Sequence, residues 1–178
     1  EGYRDSAIRL QWLTQPSADF SALVNVHARD YDGSARLFRA NIIQTGSNAT
    51  VAGFDPKTIS IDCDEASSLE NLGANLRLRW NLGGGLALHA ITGYESVKTF
   101  SRGDIDGGFG AAFLPASGPG VIPFASETAD GIPKHRQLTL ELRLESDSKG
   151  PLDWQAGVFV FAEDYRAESF SYDSLAGN

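Results

Sequence analysis

Residues Gln137 to Glu145 alternate strictly between leucine and polar side chains. Leu138, Leu140, Leu142 and Leu144 fall on one side, and Thr139, Glu141, Arg143 and Glu145 on the other. A period of two puts successive residues on opposite faces of a β-strand and cannot form one face of a helix. After a polar turn at 146–153, Trp154, Ala156, Val158, Val160 and Ala162 again share a face. The spans 136–146 and 154–168 are therefore expected to pair as an antiparallel hairpin. Each strand reaches about ten residues or more, whereas strands of soluble domains usually have about five or six. About nine to eleven residues is the length a tilted strand needs to cross a bilayer. One aliphatic face and one charged face suit a sheet with lipid outside and a polar lumen inside.

The same alternation predicts four further strands, at 6–14, 20–30, 69–80 and 86–99. Ile8, Leu10 and Trp12 share a face in the first, and Phe20, Ala22, Val24, Val26 and Ala28 in the second, with Asn25, His27 and Arg29 opposite. In the third, Leu72, Ala74, Leu76, Leu78 and Trp80 oppose Asn71, Asn75, Arg77 and Arg79. In the fourth, Leu88, Ala90, Thr92 and Tyr94 oppose His89 and Glu95. Pairing Thr14 with Phe20 sets Trp12 against Ala22, and pairing Trp80 with Leu86 sets Arg79 against Ala87 and Arg77 beside His89. Both registers keep the apolar faces together.

Between these strands the connections alternate short, long, short, long, short. The long ones, 31–68 and 100–135, lack periodicity and are rich in glycine with polar or proline residues, too long for ordinary hairpin loops. Outer-membrane barrels have short turns at the periplasmic rim and long loops outside, a rule that sandwiches do not follow. The fold class expected is all-β: an up-and-down antiparallel meander of about six long strands, 1–178 being part of a single transmembrane barrel domain. Trp12, Trp80, Tyr94 and Trp154 lie near expected strand ends, where barrels keep interfacial aromatics.

A formal charge of −8, from 15 basic and 23 acidic residues, leaves no basic patch and disfavours a nucleic-acid partner. Cys63 is the only cysteine, so no internal disulfide forms and no Cys-x-x-Cys site exists. No run of eighteen apolar residues is present, which excludes a membrane helix but not membrane strands. The chain opens with Glu1-Gly-Tyr-Arg and enters a strand without a visible signal peptide, so it is expected to be a piece of something longer.

The segment QLTLELRLESDSKGPLDWQAGVFVFAEDY, preceded by ITGYES, resembles the barrel of TonB-dependent outer-membrane receptors. The resemblance implies a Gram-negative outer-membrane protein that captures a scarce solute and imports it with energy passed from the inner membrane through the TonB complex. The substrates of that family include ferric siderophores, haem, cobalamin and carbohydrates. The family's N-terminal plug and TonB box, and most of its barrel strands, have no counterpart in this sequence. Lipid and a small-molecule substrate are the partners it implies, and no cofactor.

Two other readings remain open. A soluble lipocalin-like barrel would fit the length and hold one small ligand. Against it stand the charged stripes and long loops. A surface β-sandwich explains the strands but not the alternating connections.

No serine elbow, His-Glu-x-x-His helix or phosphate loop is present, and His27, His89 and His135 fall on separate elements, so no catalytic group is assigned. Gly107-Gly-Phe-Gly110 lacks the strand–turn–helix of a dinucleotide site. Asp104-Ile-Asp106 and Asp62-Cys-Asp64-Glu65 lack a full calcium loop and read as solvated turns. If the short turns are periplasmic, Arg29, Asn71 and Glu95 end high in the lumen and are candidates for substrate contact. Phe109 and Phe113 in the second long loop are the candidate apolar contacts, with Phe38, Phe54 and Phe124 available for the same role or for packing the loops. Arg77, Arg79, Glu141 and Arg143 are expected to line the lumen or face a plug, or simply to meet water. An isolated copy of so few strands is expected to oligomerise, because its sheet edges stay unpaired.

Overall fold

A computed structural model describes residues 2–34, 42–59, 61, 63–105, 126–146 and 151–173, with the side chains of Ser126 and Asp173 excepted. The chain is all-β: β1 (Tyr3–Ser17), β2 (Phe20–Gly33), β3 (Ala66–Gly83), β4 (Leu86–Asp104), β5 (Ser126–Ser146) and β6 (Gln155–Asp173). They form one six-stranded antiparallel sheet in the order β1-β2-β3-β4-β5-β6, an up-and-down meander whose two edges are β1 and β6.

Each strand outruns its expected span. β5 has 21 residues and β4 and β6 have 19 each, so β5 extends about 70 Å at roughly 3.3 Å per residue. The long connections 31–68 and 100–135 shrink accordingly to 34–65 and 105–125. The glycine and proline of 126–135 do not end the strand. They are absorbed by a register shift between Gly131 and Lys134, since a bulge leaves unpaired the backbone position at which Pro133 lacks an N–H.

Two expected registers are corrected by two residues. Thr14 pairs with Ala22 and Trp12 with Val24, because a bulge between Thr14 and Ser17, spanning Gln15 and Pro16, lets the strands continue to a tight turn at Ala18–Asp19. Trp80 pairs with Leu88, which puts Arg79 opposite His89 and Arg77 opposite Ile91. Here the strands close onto Gly84–Gly85, and Gly83, Gly84 and Gly85 have φ of 82°, 63° and 76°. Only glycine holds such values without strain. A shift of two preserves the parity of every strand, so each side chain keeps its expected face.

One face is apolar over a continuous band. On β3 it runs through Leu72, Ala74, Leu76, Leu78, Trp80 and Leu82, and the rows paired to these residues carry Leu10, Trp12, Val24, Val26, Tyr94, Leu138, Leu140, Leu142, Val158 and Val160. These side chains do not form a closed core. Leu72, Leu138 and Val158 are 57%, 48% and 62% exposed, and among the described residues the buried hydrophobic ones are the alanines Ala22, Ala87 and Ala129. From the row of Leu72 outward the same face turns charged: Asp164, in that row, is bound to Lys134, and beyond it Glu70 is bound to Lys98 at 3.0 Å and Arg4 to Asp30 at 3.3 Å. The aromatics divide unevenly. Trp80 meets Phe20 edge-on at 6.5 Å beside the short turns, and Tyr94 sits one row below Ser96 and Arg136 at the other margin. Trp12, expected near a strand end, lies inside the band.

Candidate functional site

The opposite face is polar, and cross-strand pairing places its charges. β2, β3 and β4 bring His27, Gly73 and Glu95 into one row. His27 and Glu95 belong to strands that are not neighbours, yet Nε2 and Oε1 stand 3.3 Å apart. Gly73 makes this possible, since a Cβ there would meet the Glu95 carboxylate oxygens at 2.3 and 2.4 Å and His27 Cε1 at 2.4 Å. The Asn71 side-chain amide donates to Glu95 Oε2 at 3.2 Å. Of the three polar residues among the expected contacts, Asn71 and Glu95 are therefore joined. Arg29 is not part of this group: its guanidinium forks onto Asp5 of the edge strand, Nε at 2.9 Å and Nη2 at 2.7 Å.

The residues expected to line a lumen all lie on this polar face. Glu141 and Arg143 contact each other at 3.7 Å. Arg79 lies opposite His89, whose Nε2 is 2.8 Å from Glu145, a carboxylate also in the field of Arg143 and Arg79. His135 meets Glu163 at 2.8 Å, so each of the three histidines carries a glutamate partner on this face. Arg77, opposite Ile91, stands apart from the histidine pairs. Asn25 is buried to 6% exposure, and among the described residues its Oδ1 and the neighbouring His27 Nδ1 have no hydrogen-bond partner.

Asp5, His27 and Gly73 are the residues that sequence reasoning missed. The readable signal was Gly73 itself, one glycine interrupting a polar stripe, which in a strand marks a close approach by something else. Phe109 and Phe113, with Phe38 and Phe124, fall outside the described residues, as do Gly107-Gly-Phe-Gly110, Asp62 and Asp106.

Toward the far end of the strands, Arg102 ties the β2–β3 connection to the sheet. Its Nε donates to Glu127 at 2.6 Å, Nη2 lies 3.7 Å from Asp64, and the guanidinium sits 4.4 Å over the Tyr172 ring. Cys63 is half-buried beside Asp104, Glu65 and Glu127. Burial first, then these carboxylates, push its thiol up to about 11. Among the described residues, no group of three or more His, Cys, Asp or Glu side chains is placed to hold a metal ion. No helix among the described residues is long and apolar enough to cross a membrane, which says nothing of strands.

No family model matches the sequence, and no curated protein matches it at a significant level.

Proposed function

We propose that the chain is part of an outer-membrane β-barrel receptor of the TonB-dependent kind, which captures a scarce solute outside the cell and imports it. The observation that carries this reading is the exposed apolar band on one face, bounded by charge at one end and by short turns at the other. From Leu72 to Leu82 it spans about 33 Å along the strand at roughly 3.3 Å per residue. At a tilt of about 40° that is roughly 25 Å, the height of a barrel's lipid-facing band. The ion pairs named above lie on the polar face or at the charged margin of the band, where Asp164 shares the row of Leu72, and Lys134, Glu70 and Lys98 lie beyond it. The partition is favourable in lipid, because a charge at the bilayer midplane costs about 2–4 kcal/mol on a barrel's outer face.

In such a receptor β1 and β6 pair with further strands, since the smallest outer-membrane barrels have eight. The polar face then lines the lumen, with Asn71, Glu95 and Arg29 on the outer side of its centre and Arg77, Arg79, Glu141 and Arg143 nearer the short turns. The paired charges speak against a lipocalin, whose interior cup is apolar.

Spin labels test the assignment of faces. In a Cys63→Ser background reconstituted in lipid, a label at Leu140 should be relaxed by oxygen and one at Glu141 by a water-soluble nickel chelate. The reverse pattern would sink the proposal. Uptake by the parent receptor that persists without TonB would remove the energy-coupling part of it.

A further inference from the structure

Beyond the level of Asn71 and Glu95 the polar face carries two adjoining depressions that share Thr99 and Ser101 of β4. One, of about 410 Å³, reaches Asp130 and Tyr165. The other, of about 330 Å³, reaches Tyr31 and Ser67. We propose that this strip binds a neutral, polyhydroxylated ligand of mono- to disaccharide size. The proposal rests on the receptor reading and narrows its solute class.

Three observations carry it. The first is hydrogen-bonding chemistry. Thr99, Ser101 and Ser67 present hydroxyls, each able to donate once and accept twice, the same two-sided capacity as a sugar hydroxyl. Asp130 accepts the Ser169 hydroxyl at 2.7 Å, and a carboxylate with about four acceptor positions retains capacity for ligand hydroxyls.

The second is shape and polarity. Tyr31 and Tyr165 stand at the two ends of the strip, each with an apolar ring and a polar tip. Leu69 lines one depression and Ile132 the other. A pyranose offers the complement, a ring of C–H groups edged by hydroxyls. Each volume falls in the range of small-molecule sites, about 300–1,000 Å³.

The third is charge. Arg29 borders the strip, but its fork is occupied by Asp5. The other charged side chain that this face adds to the strip, Asp130, is acidic; Glu168, paired with Gly131 in the row of Phe100 and Ser68, points to the opposite face and is bound to Arg166. An anionic ligand would meet like charge with no uncommitted cation among the lining residues, whereas a neutral polyol meets acceptors and donors without that penalty.

The test uses the parent receptor in detergent micelles, titrated calorimetrically with glucose, maltose, cellobiose, chitobiose and neutral oligosaccharides, and in parallel with glucuronate and citrate. At least one neutral saccharide should bind, and more tightly than either anion. The double variant Thr99→Val/Ser101→Ala should weaken it about tenfold or more, as expected for two lost hydrogen bonds. Asp130→Asn provides an independent variant, and heat-modifiable gel mobility verifies that each variant is folded. A folded barrel blind to every neutral saccharide, tighter binding of the anions, or saccharide affinity unchanged in both variants would overturn this proposal alone. A parent protein that stays folded and monomeric without detergent would overturn the receptor reading, and this one with it.

Discussion

His27 on β2 and Glu95 on β4 reach each other across Gly73 on β3, the one row position where the intervening strand offers no side chain. Neighbouring strands lie about 4.8 Å apart, so a bridge between second neighbours must span roughly twice that. A methyl at Gly73 would occupy the path, and Glu95 would lose His27 and Asn71 together. Gly73→Ala is expected to destabilise the folded protein by about 1–3 kcal/mol, read as a lower midpoint in thermal gel-shift assays. Glu95→Ala in the same chain should recover part of the loss, since the methyl then has room. Equal stability of Gly73→Ala and the wild type would show that the crossing is incidental.

The two faces predict opposite tolerance to the same substitution at adjacent positions. Leu140→Arg puts a guanidinium on the apolar band and should cost about 2–4 kcal/mol if that band meets lipid. Glu141→Arg, one residue on, faces Ile91 and Phe159 on the polar side and should assemble at near wild-type levels. Outer-membrane yield of the two variants checks this. Comparable yields would mean that the leucine face does not touch lipid.

The face of every strand was legible in the sequence because alternation survives a two-residue error in register. That is why Leu140 and Glu141 separate correctly while the side-chain pattern alone sets Trp12 against Ala22 instead of Val24. The register depended on backbone details that side-chain pattern does not encode: Pro16 sits in a bulge rather than ending β1, and a run of three glycines closes as a tight turn. The strand ends were hidden for a related reason. Residues 126–135 contain glycine and proline that usually break strands, yet a bulge at Pro133 carries β5 past them. At the candidate site, Asn71 and Glu95 were readable as polar residues on one face. Their partnership was not, because the crossing at Gly73 involves a strand two places away.

Cys63 gives a test with a definite sign. Burial and three nearby carboxylates raise its thiol to about 11, so the reactive thiolate is scarcer in the folded chain than in the unfolded one. At pH 8 the folded protein should hold roughly a hundredfold less thiolate than a thiol near 9, and iodoacetamide should react correspondingly slowly. The rate should keep rising as pH approaches 11, while denatured protein levels off nearer the ordinary value. Matching profiles for folded and denatured protein would mean that the β2–β3 connection does not pack over Asp104 and Glu127 as described.

The last prediction concerns the chain by itself in water. β1 and β6, 15 and 19 residues long, are the two edges of the sheet, and among the described residues no strand pairs with their outer N–H and C=O groups; long bare edges recruit other edges. The apolar face compounds this, with Leu138, Leu140 and Leu142 all at least 37% exposed and Val158 and Val160 beside them at 62% and 55%. Contiguous apolar surface of that kind seeks a second such surface when no lipid covers it. On β6 the polar face contributes too, because Phe159 and Phe161 are 63% and 51% exposed. The isolated 178-residue chain is therefore expected to sediment as an oligomer in detergent-free buffer and to disperse in a mild detergent. Two variants separate the contacts: Leu140→Lys with Leu142→Lys should weaken face-to-face stacking, and a proline placed at Val160 should weaken pairing along β6. A folded monomer in plain buffer, with those leucines open to water, would refute both the edge argument and the lipid-facing account of the band.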